Sequence, residues 1–294
     1  MTDLRANLRR CLAIFLVLAM AGCAGAPTLA EREAKAITVA QGGGLEKFRI
    51  ATKRFDLVGF QRHRTPDETL TVFIEGDGAA WKTRTEPSSD PTPVTMTVLG
   101  MAAADPGPDV VYLARPCQFA GAREGTARNC RTELWTIARY SEEVVESMNE
   151  ALDKVKAEAH ASTFNLVGYS GGGAIAALLA ARRNDIASLV TIAAPLDSKA
   201  FTDYHHVTPL YESLDPLTIA AKISLLPQIH YSGGEDEIVP PMIAANFIRH
   251  MPADGCAQQI VLPDMNHHAD WAARWRELAA HRPSCPADRP KSGG

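Results

Sequence analysis

The stretch Phe164-Asn165-Leu166-Val167-Gly168-Tyr169-Ser170-Gly171-Gly172-Gly173 sets a serine inside a Gly-x-Ser-x-Gly frame. An apolar run leads into it, and the Ala/Leu-rich run 174–180 follows. These flanks predict a strand, a sharp turn and a helix, with Ser170 at the turn. Gly168 and Gly172 lack a Cβ, so strand and helix can close on each other and lift the Ser170 hydroxyl clear of the sheet. The amide of Gly171 then lies at a helix N-terminus, where partial positive charge favours an oxyanion. Such a serine attacks acyl carbonyls if a base takes its proton and an acid orients the base. The same glycines can serve packing or phosphate binding, but the Gly-Lys-Ser/Thr ending of a phosphate loop is missing.

The rest of the chain must position those partners. Lys47 to Arg62 alternates in part and predicts a hairpin, followed by a turn at Thr65-Pro66-Asp67-Glu68. Short apolar runs predict strands at 70–74, 110–113, 163–169, 186–193, 226–231 and 259–262. Helices are expected over 94–104, 133–159, 171–183, 242–250 and 271–280. In the long one, Val144, Met148, Leu152 and Val155 recur at helical spacing. Residues 195–222 read as an irregular insert with three prolines, and His205-His206 within it as lid or surface residues rather than a metal site. Strands alternating with helices predict an α/β chain, a mostly parallel sheet with helices on both faces. Ligands bind such sheets at the carboxyl ends of the strands. The loop Glu75-Gly76-Asp77-Gly78, Ser170, Asp236 and His267 all follow strands, so they can share one edge.

The Gly-Tyr-Ser-Gly-Gly turn, the loop after strand 70–74, the acidic loop and the late histidine, in that order, resemble the α/β-hydrolase family over residues 70–281. The resemblance implies that fold, with a small insert in place of a large cap, and a serine hydrolase of esters or thioesters that needs no metal or organic cofactor. Ser170 is then the nucleophile. Gly233-Gly234-Glu235-Asp236-Glu237-Ile238-Val239-Pro240 resembles the family's acid loop and points to Asp236, with Glu235 and Glu237 chemically able neighbours. Leu262-Pro263-Asp264-Met265-Asn266-His267 points to His267 as base, beside His268. The oxyanion donors implied are the amides of Gly171 and Asp77, with Gly78 the fallback. Glu75 stands where many relatives carry histidine. The Asp77 carboxylate is expected to point away, because a negative charge nearby opposes the oxyanion.

The 294 residues are 46% hydrophobic and 22% charged with a net charge of −4, which fits a globular chain and gives no support for nucleic-acid binding. Arg5, Arg9 and Arg10 precede an apolar run from Cys11 to Met20, the pattern of a signal peptide over residues 1–22. Met20-Ala21-Gly22-Cys23 resembles a bacterial lipobox, with Met20 in place of the commoner Leu. That resemblance implies lipidation of Cys23 and attachment to a membrane on the periplasmic side of a cell envelope. Ala24, in place of the aspartate tied to inner-membrane retention, implies the outer membrane. The alternative is a plain secretory signal. Residues 23–44, ending in Gln41-Gly42-Gly43-Gly44, read as a lipidated flexible tether. The domain is expected over 45–281 and a Pro-rich tail over 282–294.

Four further cysteines, Cys117, Cys130, Cys256 and Cys285, suit two disulfides in an exported chain. Three pairings are possible, and proximity in sequence favours Cys117–Cys130 and Cys256–Cys285. No Cys-x-x-Cys spacing supports a metal site instead. The expected substrate is a small-molecule or lipid acyl compound. A non-catalytic envelope lipoprotein that uses the same scaffold for binding is the competing reading.

Overall fold

The computed structural model describes residues 26–64, 69–121 and 128–285. The segment read as a signal peptide, Cys23, residues 65–68 where a turn is expected, and the end of the tail lie outside the described residues. The strands are β1 (Glu46–Ala51), β2 (Asp56–Arg62), β3 (Thr69–Ile74), β4 (Val110–Leu113), β5 (Thr163–Tyr169), β6 (Ile186–Ile192), β7 (Gln228–Gly233) and β8 (Ala257–Leu262). They form one eight-stranded sheet in the order β1-β2-β4-β3-β5-β6-β7-β8. The β1–β2 hairpin joins antiparallel to β4, and every later pairing is parallel. The carboxyl ends of β3 to β8 therefore open on one edge.

Burial alternates along the strands, as a sheet covered on both faces requires. Val72, Ile74 and Leu166 enter one core, while Phe73 and Val167 enter the other. The first core is closed by α3 (Glu142–Ala159) and α4 (Gly171–Ala180). Helices α1 (Leu29–Gly42), α2 (Thr97–Ala104) and α7 (Trp271–Leu278) close the second. Helices α5 (Ser198–His205) and α6 (Met242–Arg249) follow β6 and β7.

Three expectations are corrected. The stretch read as a flexible tether is largely the helix α1. Its Thr28–Glu31 pair forms a reciprocal capping box, and Ala36 and Ala40 are buried in the second core. The long helix begins at Glu142, not 133. Residues Thr132–Trp135 form a 3-10 turn, and the bent backbone after it offers the carbonyls of Thr136 and Arg139 to arginine side chains. The 195–222 insert is not wholly irregular, since it contains α5 and a 3-10 turn at Pro216–Ile219. The two disulfides are Cys117–Cys130 and Cys256–Cys285.

Candidate active site

Ser170 is the residue between β5 and α4, with φ 50° and ψ −128°. A non-glycine residue there costs about 1–3 kcal/mol and persists only where its surroundings hold it. Here the Ser170 amide donates to Ile192 at 2.8 Å, and its carbonyl accepts from Gly173 at 2.9 Å. The glycines are sterically required. A Cβ on Gly168 would overlap the backbone of Gly172, and one on Gly172 would overlap the carbonyl of Ile74.

The Ser170 hydroxyl donates to His267 Nε2 at 3.1 Å. His267 Nδ1 donates to Asp236 Oδ2 at 2.9 Å. An ionised carboxylate only accepts, so this bond fixes the proton on Nδ1 and leaves Nε2 free to take one from serine. Asp236 is oriented in turn by the amides of Ile238 and Val239, which donate to its Oδ1 at 2.9 and 2.7 Å. Asp236 and His267 are buried, while Glu235, Glu237 and His268 are exposed. The structure thus joins Ser170, His267 and Asp236 into one chain of hydrogen bonds and leaves their neighbours outside it. His205 donates to the carbonyl of Ile238, which ties the insert to the acid loop.

The loop after β3 lies against this turn. A Cβ on Gly76 would stand 3.4 Å from that of Ser170. Among the described residues, no acceptor is paired with the backbone N–H of Asp77 or Gly171. The Asp77 carboxylate does not point away as expected. It packs against Gly171, bound by Arg115 and, at 2.8 Å, by Arg139. Burial acts to raise its pKa, but the charges of Arg139 and Arg115 outweigh that and hold it below the usual value. Its negative charge is therefore countered where it lies. Gln118 braces the same loop, donating to the Gly76 carbonyl at 2.9 Å. Glu75 is buried, accepting from the Tyr112 hydroxyl at 2.8 Å and the Gly76 amide at 2.9 Å. Burial raises its pKa to about 7 against these bonds and the charge of Arg115.

A family model described as the alpha/beta hydrolase fold matches residues 119–211, which hold the Ser170 turn. Solved structures extend the likeness. One is a membrane phospholipase A described as a bacterial virulence factor, 16% identical, with 92% of this chain and 97% of that chain covered and a TM-score of 0.56. Another is an alpha-beta serine hydrolase homologue from Coxiella burnetii, 18% identical over 80% and 94% of the two chains, TM-score 0.51. An esterase from Pyrococcus furiosus is 13% identical over 80% and 89%, TM-score 0.54. No curated protein sequence matches. The chain has the α/β-hydrolase fold.

Within that fold, sequence reasoning missed the side chains that hold the site together. The Tyr169 hydroxyl donates to the His267 carbonyl at 2.5 Å, and Trp271 Nε1 donates to the same oxygen at 3.3 Å. Burial, with the charges of Asp236 and Glu75, pushes the Tyr169 pKa up, which keeps it a donor. Tyr169 sits inside the serine motif itself, so its place was available as a signal. Arg115 and Arg139 carry no local pattern that marks them.

Proposed function

We propose that this chain is a serine hydrolase of carboxylic esters or thioesters, held at a cell envelope through acyl chains on Cys23. The carrying observation is the unbroken hydrogen-bond chain from Ser170 through His267 to Asp236, on a serine held at φ 50°. In this reading the Ser170 oxygen attacks the acyl carbon as its proton passes to His267 Nε2. Asp236 stabilises the imidazolium that results. The amides of Asp77 and Gly171 receive the oxyanion. Collapse breaks the bond to the leaving oxygen or sulfur, which takes the proton from His267. A water molecule then repeats the sequence on the acyl-serine, giving the acid and restoring Ser170. Each step uses only this chain's residues and water. A lipid ester is in keeping with the structural likeness to a protein described as a membrane phospholipase A.

The test is p-nitrophenyl ester turnover and fluorophosphonate labelling. Ser170→Ala is expected to lower turnover by about 10⁴-fold or more and to abolish labelling. A folded wild-type protein that never labels at Ser170 refutes the reading and leaves a binding scaffold.

A further inference from the structure

We propose that α1 holds the mouth of the site against the membrane that carries the anchor, so that the substrates are acyl esters resident in that bilayer. The proposal rests on the hydrolase and Cys23 readings above and goes beyond both in fixing an orientation. Its basis is the direction of α1. The end of α1 lies at the amino edge of the parallel strands: Arg62 binds the Gly43 carbonyl, and Arg62 pairs with Val110, the first residue of β4. The start of α1 lies at the opposite, carboxyl edge. Arg32 in its first turns donates to the Thr92 carbonyl at 2.6 Å, and Lys35 to that of Val94 at 3.2 Å. The neighbouring Pro91 carbonyl accepts from Ala79 at 3.1 Å, directly beyond the Asp77 loop.

Cys23 precedes the helix cap Thr28 by five residues. Five residues reach at most about 18 Å when fully extended. A tether of 22 residues would have set no orientation. This short one, leaving from the catalytic edge, keeps that edge near the lipid. The surface agrees. Trp81, Tyr204, Val207, Tyr211, Ile238 and Met242 are large apolar residues exposed in the described structure. All six follow the carboxyl ends of β3, β6 or β7, as does exposed Val94, while Ile37 in α1, Leu225 before β7 and Val261 in β8 are exposed elsewhere. A lipid surface is the occupant that such a rim suits when an acyl anchor holds it there.

Trp81 supplies the probe. The protein has four tryptophans; Trp81 is 41% exposed, and Trp135, Trp271 and Trp275 are each 5% exposed or less. The processed lipoprotein is reconstituted into phosphatidylethanolamine/phosphatidylglycerol vesicles with plain or brominated acyl chains. Brominated chains are expected to quench emission, and Trp81→Phe to remove that quenching. A second variant inserts about 20 Gly/Ser residues between Cys23 and Thr28; by the −3/2 power of tether length its hydrolysis of a vesicle-borne long-chain ester falls about tenfold. Its rate on a soluble short-chain ester is expected to stay at the parent value. Unquenched Trp81 on vesicle-bound protein, or a linker variant as fast as its parent on the vesicle-borne ester, overturns the proposal. In either case fluorophosphonate labelling of Ser170 still reads the hydrolase assignment separately. A mature N-terminus without acyl chains, seen by mass spectrometry, overturns the proposal together with the anchor.

Discussion

Glu75→Gln should reverse sign in its effect on stability as pH rises. Glu75 is 4% exposed, and burial raises its pKa from the usual 4.5 to about 7. Between those two values the unfolded chain has released the proton and the folded chain still holds it. Stability linked to this group is therefore fully present below pH 4.5, falls as pH rises through the window, and is lost above pH 7. A shift of about 2.5 units corresponds to about 3 kcal/mol. Glutamine keeps the acceptor for the Gly76 amide and cannot ionise, so the variant lacks this loss. At low pH it gives up a good bond from Tyr112 and should be equal to or less stable than wild type. At pH 8 it should be the more stable of the two. The gap between them should change by about 3 kcal/mol, or about 6–12 °C in melting midpoint for a domain of this size. The assay is thermal unfolding of both proteins from pH 4.5 to 8 with disulfides intact. A gap that stays constant across that range shows that Glu75 does not take up a proton in the fold, and the argument fails.

Asp236→Asn should keep the amide bonds from Ile238 and Val239 but present a donor to His267 Nδ1, which moves the ring proton to Nε2 and disables the base. Ester turnover should fall by about 10⁴-fold with the circular dichroism spectrum unchanged; a fall under tenfold would argue against Asp236 as the orienting acid. Asp77→Asn removes the charge that Arg115 and Arg139 share and leaves two buried guanidinium groups without a counter-ion. It should destabilise the fold by about 3–5 kcal/mol at pH 7, read as a lower melting midpoint. Because the Asp77 pKa is depressed, its contribution is present above the usual 3.8 and is lost as pH falls through the folded value. The difference between wild type and variant should therefore shrink in acid, and a difference independent of pH would speak against an ionic origin.

What was legible in the sequence was what has a local grammar. Gly168 and Gly172 mark the turn around Ser170 because no other residue fits there. Asp236 and His267 were singled out by resemblance to the family's acid and histidine loops, and the fold brings both into one hydrogen-bond chain with Ser170. The period-2 and helical patterns gave the sheet and the helices over its faces. What stayed hidden depends on residues far apart in the chain. Asp77 meets Arg115 and Arg139 across 38 and 62 positions, and no periodicity relates them. Glu75 reads as a polar loop residue until the fold buries it beside Tyr112. The early helix had a signal that was passed over. Thr28-Leu29-Ala30-Glu31 is a capping box, but a composition of small and polar residues reads as tether when packing against α2 is out of view. The start of α3 was misplaced for a related reason. Ser141-Glu142-Glu143 is an ordinary helix start, yet the apolar spacing runs on upstream through residues that bend to bind arginines.

The two donors on the His267 carbonyl have a consequence for the order in which the molecule comes into being. Tyr169 and His267 stand 98 residues apart, and Trp271 lies later still. In a chain made amino end first, Ser170 emerges well before the histidine loop and the last helix that hold its partner in place. During that interval Ser170 lacks its hydrogen bond to His267, and Asp236 lacks the imidazole it would orient. On the proposed hydrolase reading, a copy stalled or clipped before residue 267 is expected to show no ester turnover, because it has no base for Ser170.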